Sequence, residues 1–511
     1  MAVETRRSRA VASPTANGNG VAGKRRSSRR SVSKSPSPPP RARKAAPKKG
    51  TPRKADPSKK GAKSKDVTSL WSETAGTGVE NGSAFRALGA ILLLLSTPPF
   101  TIAMWSIFVQ FEGSVVAFVT KLSDPSEWPA FIEGLPTLSW EGTRYVAVFG
   151  AFQAALQVLV PGAEFVGPIS PMGNRPVYKA NGVQCFLITL VAFFAAWHFG
   201  VFEPARVYDQ FGEMLNFLNI FGNVLCLFLT IKGYVAPSST DSGSTGSFLF
   251  DYFWGTELYP RLLGGRFDIK QWTNCRMGLM AWSVLPLCFM AKQMEASETG
   301  QPANSMLVCV FLMNVYVFKF FLWETGYFNT MDIAHDRAGF YICWGCLVWI
   351  PSVYCSPPLH LVHHPTELSL PVALGMVALG LASIYINWAA DEQKKAFRSS
   401  GGKAQVWGKE PRFIRAKYAT KEGGVKTSLL LLSGWWGLAR HFHYVPEITA
   451  SFFWTAPALF TYIMPYFYVI FLTILLTDRA FRDDARCASK YGKYWDEYKK
   501  HVPYKIVPFL V

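Results

Sequence analysis

The sequence has little charge outside its first 66 residues, few histidines, and no long apolar run within its first 80 residues. Only 17% of the 511 residues are charged while half are apolar, which argues against a set of ordinary soluble domains. Because no apolar run precedes about residue 84, we expect no secretory signal peptide, and we expect the first hydrophobic segment to direct membrane insertion.

A disulfide framework and a complete set of histidine boxes are also lacking. Nine cysteines stand singly along apolar stretches, which indicates free thiols in a reducing compartment. Cys343 and Cys346 form a C-x-x-C pair without a second pair or a soluble βαβ context, so we interpret them as packing thiols. His360, His363 and His364 match one box of the membrane di-iron desaturases, but the other histidines form no second box. We therefore predict no metal site.

Two nucleotide-binding motifs are missing. No G-x-G-x-x-G follows a strand, so a nicotinamide cofactor would not be held by a Rossmann domain. No Walker loop is present to power a pump.

What is abundant at the start of the chain is positive charge. The first 66 residues hold 20 Lys and Arg against three acids, whereas the other 445 hold 33 basic and 31 acidic residues. Residues 1–68 are rich in Ser, Pro, Lys, Arg, Gly and Ala, and such a segment cannot bury enough surface to offset its ordering entropy. We predict a disordered basic tail that touches anionic lipid or other polyanions, with no specific nucleic acid as partner.

Long apolar runs begin near residue 84, and runs of about 17–25 residues are what a bilayer core requires. Nine clear candidate spans lie near 88–110, 144–162, 183–202, 216–236, 277–292, 305–323, 339–356, 370–389 and 451–476. A tenth segment, 428–446, is half apolar and half polar.

Charge parity favours ten spans. The N-terminal tail, the loop 390–427 and the tail 477–511 are all basic, so the positive-inside rule assigns all three to the cytosol. Eight spans precede residue 390, and the mixed segment 428–446 is then needed as the ninth. We predict an all-α multi-pass membrane protein with about ten transmembrane helices and both termini in the cytosol.

Polar side chains at bilayer depth mark candidate functional regions. One region lies between two predicted spans and is either the wall of a buried site or a solvated loop; it contains Glu324, Thr325, Tyr327, Asn329, Asp332, His335, Asp336 and Arg337. A second region, within the mixed segment, contains Arg440, His441, His443 and Tyr444. The third follows the last predicted span, where Asp483, Lys490 and Tyr498 suit a phosphate-rich cofactor better than a simple lipid anchor.

Several long strings resemble the sterol reductase superfamily. The C-terminal string is LLTDRAFRDDARCASKYGKYWDEYKKHVPYKIVP. Three others resemble the 7-dehydrocholesterol reductases, especially the plant form: GTELYPRLLGGRFDIKQWTNCRMG, WETGYFNTMDIAHDRAGFYICWGCLVWIPSVY and LLLSGWWGLARHFHYVPE. The resemblance covers about residue 84 to the C-terminus, and the tail 1–68 lies outside it.

The resemblance implies a transmembrane sterol reductase domain over 84–511 in the endoplasmic reticulum membrane, with an NADPH site in 390–511. The implied cofactor residues are Lys394, Arg398, Leu431, Trp436, His443, Tyr444, Asp483, Cys487, Ala488, Ser489, Lys490, Tyr491 and Tyr498. Many members of the family have Asn where His443 stands.

The implied reaction is NADPH-dependent reduction of the C7=C8 bond of a Δ5,7-sterol taken from the bilayer. NADPH gives the hydride, and the protein positions the substrate and supplies a proton. The candidate proton donors are Tyr444, Glu324, Asp332, His335 and Asp336. Lys394 and Arg398 would meet the 2′-phosphate.

Other functions remain open from the sequence. One alternative is a reductase of the same superfamily that acts at C14 or at a C24 side-chain bond. Another is a nuclear-envelope scaffold similar to the lamin B receptor, which joins a basic tail to a sterol reductase-like membrane domain. A transporter is a third alternative, and the lack of an internal repeat disfavours it.

Overall fold

The computed structural model describes residues 83–170, 172–419 and 425–510. The predicted disordered tail, residues 1–68, lies outside the described residues.

Helices make up most of the described chain. In chain order they are α1 (Ser83–Val109), α2 (Val115–Ser123), α3 (Trp128–Glu133), α4 (Trp140–Leu159), α5 (Gly182–His198), α6 (Ala205–Asp209), α7 (Phe211–Val235), α8 (Phe248–Trp254), α9 (Ile269–Gln271), α10 (Leu279–Ala296), α11 (Asn304–Leu322), α12 (Glu324–Tyr327), α13 (Met331–Ala334), α14 (Ser356–Leu361), α15 (Leu370–Ser399), α16 (Trp435–Leu438), α17 (Tyr444–Thr455), α18 (Phe467–Tyr491) and α19 (Lys493–His501). Two π-helical segments, Trp272–Gly278 and Phe340–Tyr354, continue α9 into α10 and precede α14.

Several helices begin at a side chain that satisfies their first amide groups. Ser139 Oγ accepts from Gly142 N at 2.9 Å at the start of α4, and Asp268 Oδ1 accepts from Gln271 N at 2.9 Å at the start of α9. These local signals fix where the chain turns into the helix bundle.

The strands of the described residues form three small antiparallel pairs. They are β1 (Ala163–Val166) with β2 (Val177–Ala180), β3 (Arg261–Leu262) with β4 (Phe267–Asp268), and β5 (Phe413–Ala419) with β6 (Val425–Leu431). The predicted all-α class therefore describes the membrane part, and short hairpins are added outside it.

Six helices of the described residues are long and apolar enough to cross a bilayer. They are Leu88–Val109, Phe211–Val235, Asn304–Leu322, Phe340–Leu361, Leu370–Ser399 and Met464–Tyr491. These helices confirm the prediction of a multi-pass membrane protein. Helices α4, α5 and α10 occupy three further predicted runs, but α5 has only 17 residues, and α4 and α10 are not apolar enough to be counted with the six. These three runs stay predicted spans.

The prediction of a membrane span over 428–446 is wrong. Leu429, Leu430 and Leu431 lie in strand β6, which pairs with β5 in the register Ile414↔Leu430. A short apolar run bounded by turn residues fits a strand as well as a helix, and the partner strand decides between them. Gly434, at φ 65°, then turns the chain into the four-residue helix α16. The charge-parity argument for ten spans needed this segment as the ninth span, so that argument fails.

The prediction of one span over 451–476 is also wrong. Helix α17 ends at Thr455, and α18 begins at Phe467 after two short turns that contain Pro457 and Pro465. Proline cannot donate within a helix, so it ends one helix and begins the next. With 12 residues, α17 is about 18 Å long and does not span a bilayer core by itself.

The core lies among α7, α10, α11 and the two π-helical segments, which pack against one another. Phe289, Met313 and Val348 are fully buried there. All nine cysteines are free thiols, and Cys343 and Cys346 pack within this core, as predicted.

Candidate active site

The predicted cofactor residues gather at one end of the helix bundle. The β5–β6 hairpin packs on α19, where Ile414, Leu430, Trp495 and Tyr498 form a buried cluster. The C-terminal half of α15 packs against α16 and α17 beside this cluster. Residues from four separate stretches of the chain are thereby brought to a single region.

Trp436 is the centre of the first set of contacts, which we name the Trp436 group. Its Nε1 donates to the carbonyl oxygen of Ala390 at 2.7 Å, and the Lys394 ammonium lies 3.6 Å from its ring centroid. The His443 ring lies 4.9 Å from the Trp436 ring, and Tyr498 Oη donates to the Trp436 carbonyl oxygen at 3.3 Å. The group thus joins α15, α16, the start of α17, and α19.

Asp483 is the centre of a second set, the Asp483 group. His441 Nε2 hydrogen-bonds Asp483 Oδ2 at 3.1 Å, Arg486 pairs with the other carboxylate oxygen, and Cys487 Sγ lies 3.8 Å away. The Tyr444 ring stacks on the His441 ring at 5.5 Å. Because Tyr444 also lies 4.3 Å from the His443 ring, the two groups adjoin.

The other predicted cofactor residues fall into an exposed set and a set that packs inside the protein. Arg398, Ser489 and Lys490 are exposed and free to meet a ligand from solvent. Lys490 extends over the Tyr418 ring, with its Nζ 4.5 Å from the centroid.

Three more of them pack inside the protein. Leu431 and Tyr491 are buried, and Ala488 is half-buried against the cluster that holds the hairpin on α19. Tyr491 Oη donates to Ser428 Oγ at 3.3 Å. These residues therefore support the region through packing.

The polar region between α11 and the second π-helical segment joins the same end through Asp332. Arg479 Nη2 donates to Asp332 Oδ1 at 2.6 Å, and Arg479 lies one helical turn before Asp483 on α18. Burial raises the pKa of Asp336 to about 6, and Asp332 adds to this effect. Burial lowers the pKa of His335 to about 4, helped by the positive charges of Arg486 and Lys270.

Glu324 has different partners from the rest of the predicted proton donors. Its Oε1 pairs with Arg276 Nη1 at 2.7 Å, and its Oε2 accepts from Gly182 N at 2.8 Å. Arg276 is fully buried, and its Nη2 donates to Asn181 Oδ1 at 2.7 Å. Both carboxylate oxygens of Glu324 are therefore used to hold α5 and the first π-helical segment together.

Sequence reasoning missed a buried polar network behind the Trp436 group. The Tyr316 hydroxyl donates to the Glu447 carboxylate, one turn after Tyr444 on α17. Lys319 Nζ donates to Asn387 Oδ1 at 2.6 Å, and Asn387 Nδ2 donates to the carbonyl oxygen of His443 at 3.0 Å. Lys319 and Glu447 are charged residues within apolar helices, and that signal could have found them.

An apolar cavity of about 500 Å³ lies elsewhere in the bundle, between α4, α5, α7, α10 and the second π-helical segment. Its lining residues include Phe149, Phe152, Phe193, Ala196, Leu347 and one charged residue, Arg144. Among the described residues, none of the predicted site residues lines it.

These features define a helical multi-pass membrane protein with an ionisable and aromatic site at one end of its bundle. The chain belongs to the ergosterol biosynthesis ERG4/ERG24 family, whose model matches residues 78–511. The predicted membership of the sterol reductases is confirmed.

Three relatives illustrate the likeness. The chain is 54% identical over 424 residues to the 7-dehydrocholesterol reductase of Arabidopsis thaliana, which covers 81% of this chain and 95% of the relative. It is 35% identical over 437 residues to the 7-dehydrocholesterol reductase of Danio rerio, covering 83% and 91%. It is 36% identical over 418 residues to the Delta(14)-sterol reductase of Methylotuvimicrobium alcaliphilum, covering 82% and 93%.

Proposed function

We propose that the chain is an NADPH-dependent enzyme that reduces the C7=C8 double bond of Δ5,7-sterols. The observation that carries the proposal is the convergence of Lys394, Trp436, His443, Tyr444 and Asp483 at one end of the bundle. The 54% identity to a plant protein of that activity supports the choice of substrate.

The chemistry of the gathered side chains fits NADPH. Lys394, Arg398 and Lys490 provide cations for phosphate groups, and Arg398 and Lys490 are exposed. His441 and His443 each keep a buried Nδ1 without a hydrogen-bond partner among the described residues, which leaves polar atoms for a ligand. In this proposal, Lys394 and Arg398 hold the 2′-phosphate, and Trp436 offers a flat face. When bound, the cofactor supplies a hydride.

Proton delivery is assigned to Tyr444. Asp332 and Glu324 each pair with an arginine, so their carboxylates are already engaged in holding other parts of the protein. At neutral pH, His335 with its pKa of about 4 is neutral, and Asp336 with its pKa of about 6 is mostly ionised.

A phenol, by contrast, stays protonated up to a pKa of about 10 in water. Tyr444 also adjoins His443 and therefore the Trp436 group. The neighbouring aromatic rings would stabilise positive charge that develops on the sterol.

The sterol is proposed to enter from the bilayer, and the apolar cavity of about 500 Å³ supports binding of a ligand of that size. Because neither Tyr444 nor Trp436 lines this cavity, the proposal places the sterol there before its double bond reaches Tyr444. The proposed location is the endoplasmic reticulum membrane, with both termini in the cytosol. The basic tail is proposed to touch anionic lipid or other polyanions there.

Expression in a yeast strain that accumulates ergosta-5,7-dienol tests the function. We expect the ultraviolet absorption of the conjugated diene to disappear, and we expect isolated membranes to need NADPH for this change. The Tyr444→Phe variant at matched expression should leave the diene intact. A persistent diene with the unmodified chain would contradict the proposal.

A second candidate function is reduction of a C14 double bond. It is supported by the 36% identity to a Delta(14)-sterol reductase. The same membranes supplied with a Δ8,14-sterol distinguish the two, since gas chromatography identifies which double bond is lost.

A further inference from the structure

Lys270 is a buried cation that the reaction proposed above does not use. It lies in α9, immediately before the first π-helical segment, and only 1% of its surface is exposed. Burying an ammonium group is costly unless its hydrogen bonds are made. Burial lowers the pKa of Lys270 to about 8, while Asp336 and Asp268 favour its charged form, so the group is mainly protonated at neutral pH.

The ammonium group of Lys270 binds the backbone of the segment that carries three predicted proton donors. Its Nζ donates to the carbonyl oxygen of Ile333 at 2.9 Å and to the carbonyl oxygen of Asp336. Ile333 lies at the end of the short helix α13, where carbonyl oxygens have no partner within the helix, and Asp336 lies two residues beyond that end. The Lys270 ammonium group therefore ties together two carbonyl groups of the turn formed by residues 331–336.

The opposite side of the same turn faces the Asp483 group. Asp332 accepts from Arg479, and Arg479 lies one turn before Asp483 on α18. The positive charges of Lys270 and Arg486 both lower the pKa of His335. The turn is thus held from within by Lys270 and from the cofactor side by Arg479.

We propose that Lys270 is a positioning residue, which sets the 331–336 turn against α18 so that Arg479 and the Asp483 group keep their geometry. The expected effect of Lys270 on the rate of reduction rests on the proposed function. The expected effect of Lys270 on the order of the turn does not. Lys270 touches neither the proposed sterol cavity nor the Trp436 group among its recorded contacts.

The test compares Lys270→Met and Lys270→Arg with a matched control, Lys179→Met, in the full chain in lipid nanodiscs. Lys179 Nζ also donates to a backbone carbonyl oxygen, that of Val158 at 2.7 Å, but it lies in strand β2. A misplacement near 1 Å can cost about 100-fold in rate, so we expect kcat of Lys270→Met to fall roughly 100-fold. KM for NADPH should change less than about threefold, because no phosphate contact is removed.

A second measurement is independent of catalysis. Amide hydrogen exchange of peptides covering 331–336 should accelerate in Lys270→Met, should be partly restored in Lys270→Arg, and should stay unchanged in Lys179→Met. This measurement also serves if Lys270→Met is poorly expressed, because Lys270→Arg can then be compared with the unmodified chain.

The outcomes separate the inference from the proposed function. Unchanged exchange at 331–336, or an equal fall in melting temperature and kcat for Lys270→Met and Lys179→Met, would overturn the positioning role. Faster exchange with a selective loss of kcat supports it. If the unmodified chain reduces neither a Δ7 nor a Δ14 bond, the function fails, and the exchange result still decides whether Lys270 orders the turn.

Discussion

Arg479 on α18 donates to Asp332 across 147 positions of sequence, at 2.6 Å between Nη2 and Oδ1. The pair joins the polar turn after α11 to the helix that carries Asp483. Both side chains are about four-fifths buried, so the pair is screened less than a surface ion pair.

A double-mutant cycle measures this pair. We expect Asp332→Asn and Arg479→Gln to be coupled by about 1–3 kcal/mol in the free energy of unfolding, because each single change leaves a largely buried charge without its partner. Arg482 and Asp478 are a matched control on the same helix, and Asp478 is 60% exposed. Their coupling should stay below about 0.5 kcal/mol. Additive effects at Asp332 and Arg479 would show that the pair does not hold the turn.

Arg398 is expected to govern the choice of cofactor. Arg398→Ala should raise KM for NADPH by about 10-fold or more, with little change for NADH, because an exposed cation that meets a 2′-phosphate is lost. KM for the sterol should stay within about twofold. Lys395→Ala is the control, since Lys395 lies on the same helix and pairs with Glu392 at 3.0 Å. Equal changes in KM for NADPH and for the sterol would remove Arg398 from the cofactor site.

The carboxyl group of Asp336 should make stability depend on pH. Its pKa of about 6 lies above the ordinary value of 3.8, so its contribution to stability is fully present below pH 3.8 and is lost as pH rises through 6. Asp336→Asn should therefore gain stability relative to the unmodified chain between pH 5 and 7.5, by up to roughly 3 kcal/mol.

His335 acts in the opposite direction within the same pH range. Its pKa of about 4 lies below 6.5, so its contribution is present above pH 6.5 and is lost as pH falls through 4. Thermal unfolding of Asp336→Asn and His335→Gln from pH 4.5 to 8 separates the two groups. A flat difference between Asp336→Asn and the unmodified chain over this range would contradict the raised pKa of Asp336.

Much of the membrane part could be predicted from the sequence because long apolar runs have few alternatives to a helix in lipid. The run over 305–323, for example, is α11, Asn304–Leu322. The segment around Leu430 could not be assigned in this way, because four leucines fit a strand or a helix until Ile414 pairs with them. Pro457 and Pro465 within the run 451–476 are a sequence signal that one continuous helix does not form there.

The site was predictable only in part. Sequence resemblance supplied Trp436, His443 and Asp483, which the structure brings to adjoining groups. It could not supply Lys270 or Arg479, because their partners lie 63 and 147 positions away and no local pattern relates them. The sequence also gives no means to tell apart the roles of the charged residues within 324–337. In the structure, Glu324 and Asp332 pair with arginines on different elements.

The apolar cavity gives the last prediction, which concerns where the sterol binds. Ala196 lines the cavity, while its neighbour Ala195 on the same helix is not among the lining residues. Ala196→Trp should raise KM for the sterol by about 10-fold or more, because an indole fills space that a ring system of that size needs. Ala195→Trp should leave KM near that of the unmodified chain.

The alternative position for the sterol is the aromatic cluster between α10, the second π-helical segment and α18. It adjoins Tyr316, the hydrogen-bond donor to Glu447, because the Tyr316 ring lies 5.2 Å from the ring of Trp282. There, the ring of Trp282 lies 5.0 Å from that of Tyr354, and Tyr354 lies 4.4 Å from Tyr468. If Ala196→Trp leaves KM for the sterol unchanged while Trp282→Ala raises it, the substrate lies at this cluster and the cavity is not its binding site. Melting temperatures of both variants separate these effects from a loss of folding, since a large-to-small change in a core costs about 3–5 kcal/mol by itself.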